Sequence, residues 1–408
     1  MEEAGSALEP TPLEGFKDFY QYASPTRLIV GRGLLESTGF EFLKEGAHRV
    51  LLVTDQVIRG TGLVEKVEAG IVDGGVELAG IFDEVPQDSS TAVCDRCAEA
   101  AREAGADSFL ALGGGSVMDT AKVADAVFTH GGTAREQEGF FLMPRDDDGM
   151  GRPLDIAPLA CIPTTAGTGS EVSMAAVIKE PDERIKLEIA DFPLFPRLAI
   201  LDPETTRTLP PAVAAATGMD AVTHAIEGYV SQDWSPHQDA RSLEALRLIR
   251  DNLERAVQNG ERDEEARGNM LIAANLAIKL ALGSVHAMSH PAGAQFGVPH
   301  GVANAIHLPH VIRFNARGGD PIAERYREIG DLFGLETGGA PSDAADTLAG
   351  HITALVERLG LPTRLSQAGV PESGIPALVE GAMGDGTTIL NPREAGEEDY
   401  AELYRRAL

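Results

Sequence analysis

Two different periodicities divide this chain, and the change between them limits the folds open to it. From Ala47 to about Leu201, short apolar runs alternate with amphipathic helical runs: HRVLLVTD, GLVEKVEAGIVDGG, VELAGIFDEV, STAVCDRCAEAAREAGA, then DSFLALGGGS opening into SVMDTAKVADAVF. Strands alternating with helices predict a parallel sheet with helical crossovers. PTRLIVGRG reads as an earlier strand and turn, and APLACIP as a strand delivering the small-residue loop TTAGTGSEVS. VSMAAVIKE, IKLEIAD and RLAILDP read as further strands, while polar, Gly-rich residues 131–156 read as a surface excursion with a short helix. From about Pro203 the runs become helical throughout: PPAVAAATGMDAVTHAIEGYVS, DARSLEALRLIRDNLERAVQ, EEARGNMLIAANLAIKLALGSVHAMSH, and on to EEDYAELYRRAL. The expected organisation is a lead-in over residues 1–24, an α/β domain with a parallel sheet over 25–205, and an all-helical domain over 206–408.

A chain of 408 residues is long enough for two such domains, and 43% hydrophobic with 24% charged residues is an ordinary globular composition. A formal net charge of -29 argues against nucleic acid or an anionic membrane as a partner, and it fits a high-salt habitat without establishing one. No apolar run approaches the roughly 20 residues of a membrane span. The acidic start MEEAGSALEPTPLEG lacks the basic head and apolar core of a signal peptide, so a cytoplasmic location is expected. Of the three cysteines, Cys94 and Cys97 form a CxxC inside an amphipathic helical run. With no second CxxC to complete a zinc site, they read as an incidental helix face.

Histidines gather in ALGSVHAMSHPAGAQFGVPHGVANAIHLPH, which holds five of the chain's ten. His286 and His290 are four apart, hence one turn apart on one helix face. Pro291 disfavours helical geometry before it, which predicts a helix ending beside His290. Gly293, Gly297 and Pro299 would then form the turn that returns His300. Upstream, GMDAVTHAIEGY places Asp220 and His224 at the same i, i+4 spacing. Each pair alone is as easily an ordinary helix face. Together they offer imidazoles and a carboxylate suited to one divalent metal with an open position. His307 and His310 read as packing or helix-end residues, and His48, His130, His237 and His351 as surface.

In the α/β half, Gly113, Gly114, Gly115 and Ser116 lie where a strand enters a helix. Glycines there admit a ligand close to the backbone, and the helix N-terminus favours phosphate, although such turns are common. Asp119 is either a first-turn carboxylate or a ligand contact. Asp55, closing HRVLLVTD, is either a simple strand-end residue or the acid that takes ribose hydroxyls and repels a 2′-phosphate. It precedes the Gly-rich turn instead of following it, so the second reading requires its own chain order. Thr164, Thr165 and Thr168 in PTTAGTGSE read as a turn cap or as hydroxyls lining a ligand.

GMDAVTHAIEGY, followed some sixty residues on by HAMSHPAGAQFGVPHGVANA, resembles the signature of the iron-dependent (group III) alcohol dehydrogenases. The likeness runs from about Pro25 to the C-terminus. It implies a dehydroquinate synthase-like fold and a divalent metal, iron before zinc or another, held by Asp220, His224, His286 and His300. His290 would then be the unligated imidazole facing the nicotinamide of NAD. It implies GGGS at the pyrophosphate, Asp55 at the ribose, the 164–168 loop along the dinucleotide, and Lys186 as a coenzyme contact. Gln87 stands where many relatives have the Asn of an Asn-Pro pair, a departure at that contact. The implied reaction interconverts an alcohol with an aldehyde or ketone, in a homo-oligomer, most simply a dimer. Two alternatives stay open: a hydroxyacid–oxoacid transhydrogenase of the same fold, and a metal-dependent nucleotide-binding lyase or sensor without redox turnover.

Overall fold

The computed structural model describes residues 20–141, 155–278 and 282–408. Most of the expected lead-in, and residues 142–154 of the polar excursion, lie outside the described residues. In the first half the chain runs β1 (Arg27–Val30), α1 (Thr38–Leu43), β2 (Arg49–Val53), α2 (Gln56–Arg59), α3 (Leu63–Asp73) and β3 (Glu77–Phe82). It continues through α4 (Thr91–Ala104), β4 (Ser108–Gly113), α5 (Gly115–His130), β5 (Gly139–Phe141), β6 (Leu159–Pro163), β7 (Ala175–Glu180), β8 (Ile185–Asp191) and β9 (Leu198–Leu201). Six strands form one sheet in the order β1-β9-β6-β4-β2-β3, every pairing parallel. Every residue of β4 and of β6 is buried, as expected of central strands covered on both faces.

VSMAAVIKE and IKLEIAD are strands, but they leave this sheet. β7 and β8 pair antiparallel, and β5 joins β8 in a separate three-stranded sheet. The reason is visible in the chain: only Pro181 to Arg184 connect them, far too few residues for a parallel crossover. The short helix expected within 131–156 is one 3₁₀ turn, Ala134–Gln137, capped by Thr133 and Glu136.

The second half comprises α6 (Pro211–Val230), α7 (Pro236–Asn259), α8 (Glu264–Ala277), α9 (Ser284–Phe296) and α10 (His300–Ala316). It closes with α11 (Asp320–Leu332), α12 (Pro341–Arg358), α13 (Ile375–Met383) and α14 (Glu397–Ala407). One apolar core runs through these helices. Within it, Gly218–Val230 of α6 is buried on all sides, including Asp220, Thr223, His224 and Glu227. Acids and imidazoles at such depth need compensating partners.

Two expectations fail around the histidines. The run EEARGNM…SVHAMSH is two helices, α8 and α9, separated after the extended Ile278. And α9 does not end beside His290; it passes through Pro291 to Phe296. Tertiary packing overrides the local preference here. Pro291 is buried with its ring so close to α13 that a Cβ on Gly381 would lie 2.6 Å from it. Gly293 is therefore helical, and the turn is made by Gly297, left-handed at φ 69°, with Val298 N–H returning to Ala292 O at 3.3 Å. Pro299 follows and caps α10, whose first residue is His300.

The start of α9 is held from far along the chain. Asn391 Oδ1 accepts from Ser284 N (3.1 Å), Glu227 Oε1 accepts from Val285 N (2.7 Å), and the Tyr404 hydroxyl donates to Met288 O (2.9 Å).

Candidate active site

α6 presents Asp220 and His224 one turn apart, α9 presents His286, and α10 begins with His300. The Nε2 atoms of His224, His286 and His300 lie 3.6, 3.7 and 3.5 Å from one oxygen, Asp220 Oδ1. Tetrahedral ligand bonds of about 2.0–2.2 Å put donor atoms roughly 3.3–3.6 Å apart, close to the spacing at which each imidazole stands from Asp220 Oδ1. Among the described residues, ligand atoms of Asp220, His286 and His300 all lie within 4.8 Å of one another, close enough to hold one ion, while His224 lies outside that mutual grouping and meets it at Asp220. The site opens at His300, whose side chain is 25% exposed against 1–6% for the other three.

The electrostatics of Asp220, His224 and His300 suit the same use. Burial pushes His224 down to about 4 and His300 well below its ordinary value, favouring the neutral, metal-binding imidazole. Burial opposes ionisation of Asp220, but the surrounding imidazoles hold it well below the usual carboxylate range. Burial likewise opposes a charge on His286, yet Glu227 and Asp220 outweigh it and hold that ring up at about 9. Glu227 Oε2 sits 2.5 Å from His286 Nδ1, which fixes the ring and raises its basicity. Asn304 Nδ2 donates to Asp220 Oδ1 at 2.8 Å, orienting the carboxylate. Glu227 and Asn304 were not singled out in the sequence, although both lie inside the quoted motifs, at helical intervals from Asp220 and His300.

His290 stands beside this cluster and outside it. Its ring stacks on His300 with centroids 5.4 Å apart, while its Nδ1 lies 2.7 Å from Asp385 Oδ2 and 3.6 Å from Glu188 Oε1. His307 is buried in the middle of α10, a packing residue and not a helix end. His48 and His237 are exposed, whereas His130 and His351 are half-buried.

The remaining candidate residues lie at the carboxyl ends of the parallel strands, where ligands bind in such sheets. β4 ends at Gly113, Gly114 caps α5, and Gly115 and Ser116 begin it. A Cβ on Gly115 would meet Thr168 Cγ2 at 2.7 Å, and one on Gly113 would meet Val117 at 2.5 Å, so only glycine allows this close packing. Thr164 N–H donates to Gly113 O (3.0 Å), Thr165 packs against Gly114, and Thr168 Oγ1 accepts from Ser170 N (3.2 Å). Asp119 accepts from Ser170 Oγ (2.6 Å) and Val177 N (3.0 Å), bracketing α5, the Thr loop and β7. On the neighbouring strand β2, Asp55 caps α2, with Oδ1 accepting from Val57 N (2.8 Å) and Ile58 N (2.9 Å). Gln87 is exposed, and the next residue, Asp88, adopts φ 52° and pairs with Lys186 Nζ at 3.0 Å. Lys186 thereby links the loop between β3 and α4 to α9, where it lies close to Gly293. Cys94 and Cys97 are buried in the core of the first half, and burial pushes both thiols up, away from a metal-binding thiolate.

Residues 25–203 match the description "Iron-containing alcohol dehydrogenase", and residues 214–408 match "Fe-containing alcohol dehydrogenase family, C-terminal". The chain belongs to this family. As an iron-containing-type alcohol dehydrogenase it is an oxidoreductase, with curated relatives similar over nearly its whole length. The NAD-dependent methanol dehydrogenase of Bacillus methanolicus is 34% identical, covering 94% of this chain and 98% of its own. The lactaldehyde reductase of Escherichia coli (strain K12) is 36% identical over 92% and 96%. A crystal structure of 1,3-propanediol oxidoreductase superposes with a TM-score of 0.88 at 34% identity, over 96% of this dehydrogenase and 100% of that chain. No helix among the described residues is long and apolar enough to cross a membrane.

Proposed function

We propose that this dehydrogenase interconverts small alcohols with their aldehydes or ketones, using NAD and one divalent metal held by Asp220, His224, His286 and His300. The observation that carries the reading is the set of three Nε2 atoms gathered around one Asp220 oxygen, beside His290. Iron is the proposed metal, following the family description; nitrogen-rich sites of this kind also take zinc, nickel or cobalt. When bound, the metal supplies a Lewis acid that polarises the substrate oxygen, and NAD supplies the hydride acceptor.

The chain's own groups do the rest. Glu227 and Asn304 hold His286 and Asp220 in place before any ligand arrives. Asp385 accepts His290 Nδ1–H, which leaves Nε2 as the ring nitrogen able to take the alcohol proton, directly or through one water. Gly113, Gly114, Gly115 and Ser116 receive the pyrophosphate at the start of α5, with Thr164, Thr165 and Thr168 alongside. Asp119 contributes by shaping that turn. Asp55 takes the ribose, while Gln87 and Lys186 border the coenzyme. The relatives bear dehydrogenase and reductase names, which favours net alcohol oxidation or carbonyl reduction over the transhydrogenase and non-redox alternatives. The division at residues 205/206, a dimeric assembly and a cytoplasmic location belong to the same reading; light scattering on purified protein checks the assembly.

His300→Ala tests the metal site. The variant should remain folded yet lose both bound metal and turnover across a panel of alcohols, diols and aldehydes. Full metal content with full activity would remove His300 from the ligand set.

A further inference from the structure

One side chain beside His290 has no part in the reading above. Glu188, on β8, reaches from the first half of the chain to α9, where its Oε1 lies 3.6 Å from His290 Nδ1. Asp385 Oδ2 approaches the same nitrogen to 2.7 Å, and donor atoms of the three residues all fall within 4.8 Å of one another. Gly386 leaves room for the acid: a Cβ there would stand 2.8 Å from Glu188 Oε2.

The two carboxyl groups are not equivalent. Asp385 receives His290 Nδ1–H, the Thr387 backbone N–H at 3.0 Å and the Thr387 hydroxyl. Glu188 Oε1 is buried and receives no hydrogen bond. Two carboxyl groups this close in a largely buried setting do not both ionise. The proton belongs on Glu188, whose buried Oε1 lacks a donor.

We propose that Glu188 is a positioning residue: as a neutral acid it donates a hydrogen bond to Asp385, holding the Asp385–His290 pair so that His290 Nε2 stays directed to the substrate. The proposal rests on the reading of His290 as the group that handles the alcohol proton. Titration agrees with the geometry. Burial and the adjacent Asp385 push Glu188 up to about 8, whereas Asp385, despite its burial, is held down by His290 and Thr387. Because Glu188 comes from the small sheet and Asp385 from the connection after α13, the hydrogen bond joins the two halves of the chain and ties His290 to their relative placement.

Glu188→Ala and Glu188→Gln separate this role from mere packing. Alanine should lower kcat by about 10- to 100-fold, the worth of one hydrogen bond to a charged group, with KM for NAD and metal content unchanged. Glutamine is neutral and keeps a donor, so it should recover most of that loss. Equal losses in the two variants, or wild-type kcat in Glu188→Ala, overturn the proposal. Loss of metal from Glu188→Gln also overturns it, by making Glu188 a ligand. His290→Ala, measured alongside, tells the two layers apart. If it keeps its kcat, the reading of His290 fails and Glu188 falls with it; if it loses kcat while Glu188→Ala does not, only the Glu188 proposal fails.

Discussion

At the scale of single residues, Asp55 combines two tasks that one substitution can separate. Its Oδ1 caps α2, and the carboxylate charge lies at the end of β2, beside the strand that delivers the Gly-rich turn. Asn caps a helix about as well as Asp, whereas Ala costs about 1 kcal/mol. Asp55→Asn should therefore keep the thermal midpoint and shift the ratio of catalytic efficiencies towards NADP, because only the repulsion of a 2′-phosphate is lost. A wild type that already prefers NADP would sink the assignment. The convergence of Asp220, His224, His286 and His300 was legible because Asp220 and His224 share a helix face, and His286 and His300 sit in a specific motif. Glu188 and Asp385 were not. Asp385 meets His290 across 95 residues of chain with no periodic spacing to announce it, and Glu188 meets the same ring from a strand in the other half of the chain.

At the scale of elements, the helices were legible from their periodicity, and the misreadings fall where tertiary packing outweighs local preference. Pro291 predicts a helix end, yet contact with α13 keeps α9 helical for another turn and more. The β7–β8 hairpin could have been read from its short connection, which counts for more than the parallel pattern around it. α10 carries a consequence for acid stability. His307 lies wholly inside it, its Nδ1 3.1 Å from Ser289 Oγ, and burial pushes it down to about 3. An unfolded imidazole titrates near 6.5, so the unfolded chain binds this proton first. Stability from His307 is thus fully present above pH 6.5 and is lost progressively as pH falls towards 3. His310, pushed down to about 4, acts with the same sign. Denaturant unfolding of His307→Gln should show a flatter decline between pH 6.5 and 4 than wild type. An unchanged slope would mean that the folded ring takes up its proton as readily as the unfolded one.

At the scale of the whole molecule, the sheet half and the helical half were legible because the apolar period changes once and does not change back. What the sequence hides is how the end of the chain bears on its middle. Asn391 caps α9 at Ser284, Tyr404 anchors Met288, and Asn391 also exchanges hydrogen bonds with Asn315 of α10 at 2.8 and 3.1 Å. A chain ending at Leu390 loses all of these while keeping every proposed metal ligand. It should be purified with far less metal than the full chain under equal supply; a full equivalent would show that α9 needs no support from the C-terminus. The same wiring sets an order of events during synthesis. The four proposed ligands have all been translated by residue 300, together with Glu227, which braces α9 at Val285 and His286, whereas Asn391 and Tyr404 join that helix only later. The helix that carries His286 is thus braced in two stages, first from within its own neighbourhood by Glu227 and then by segments made well after it.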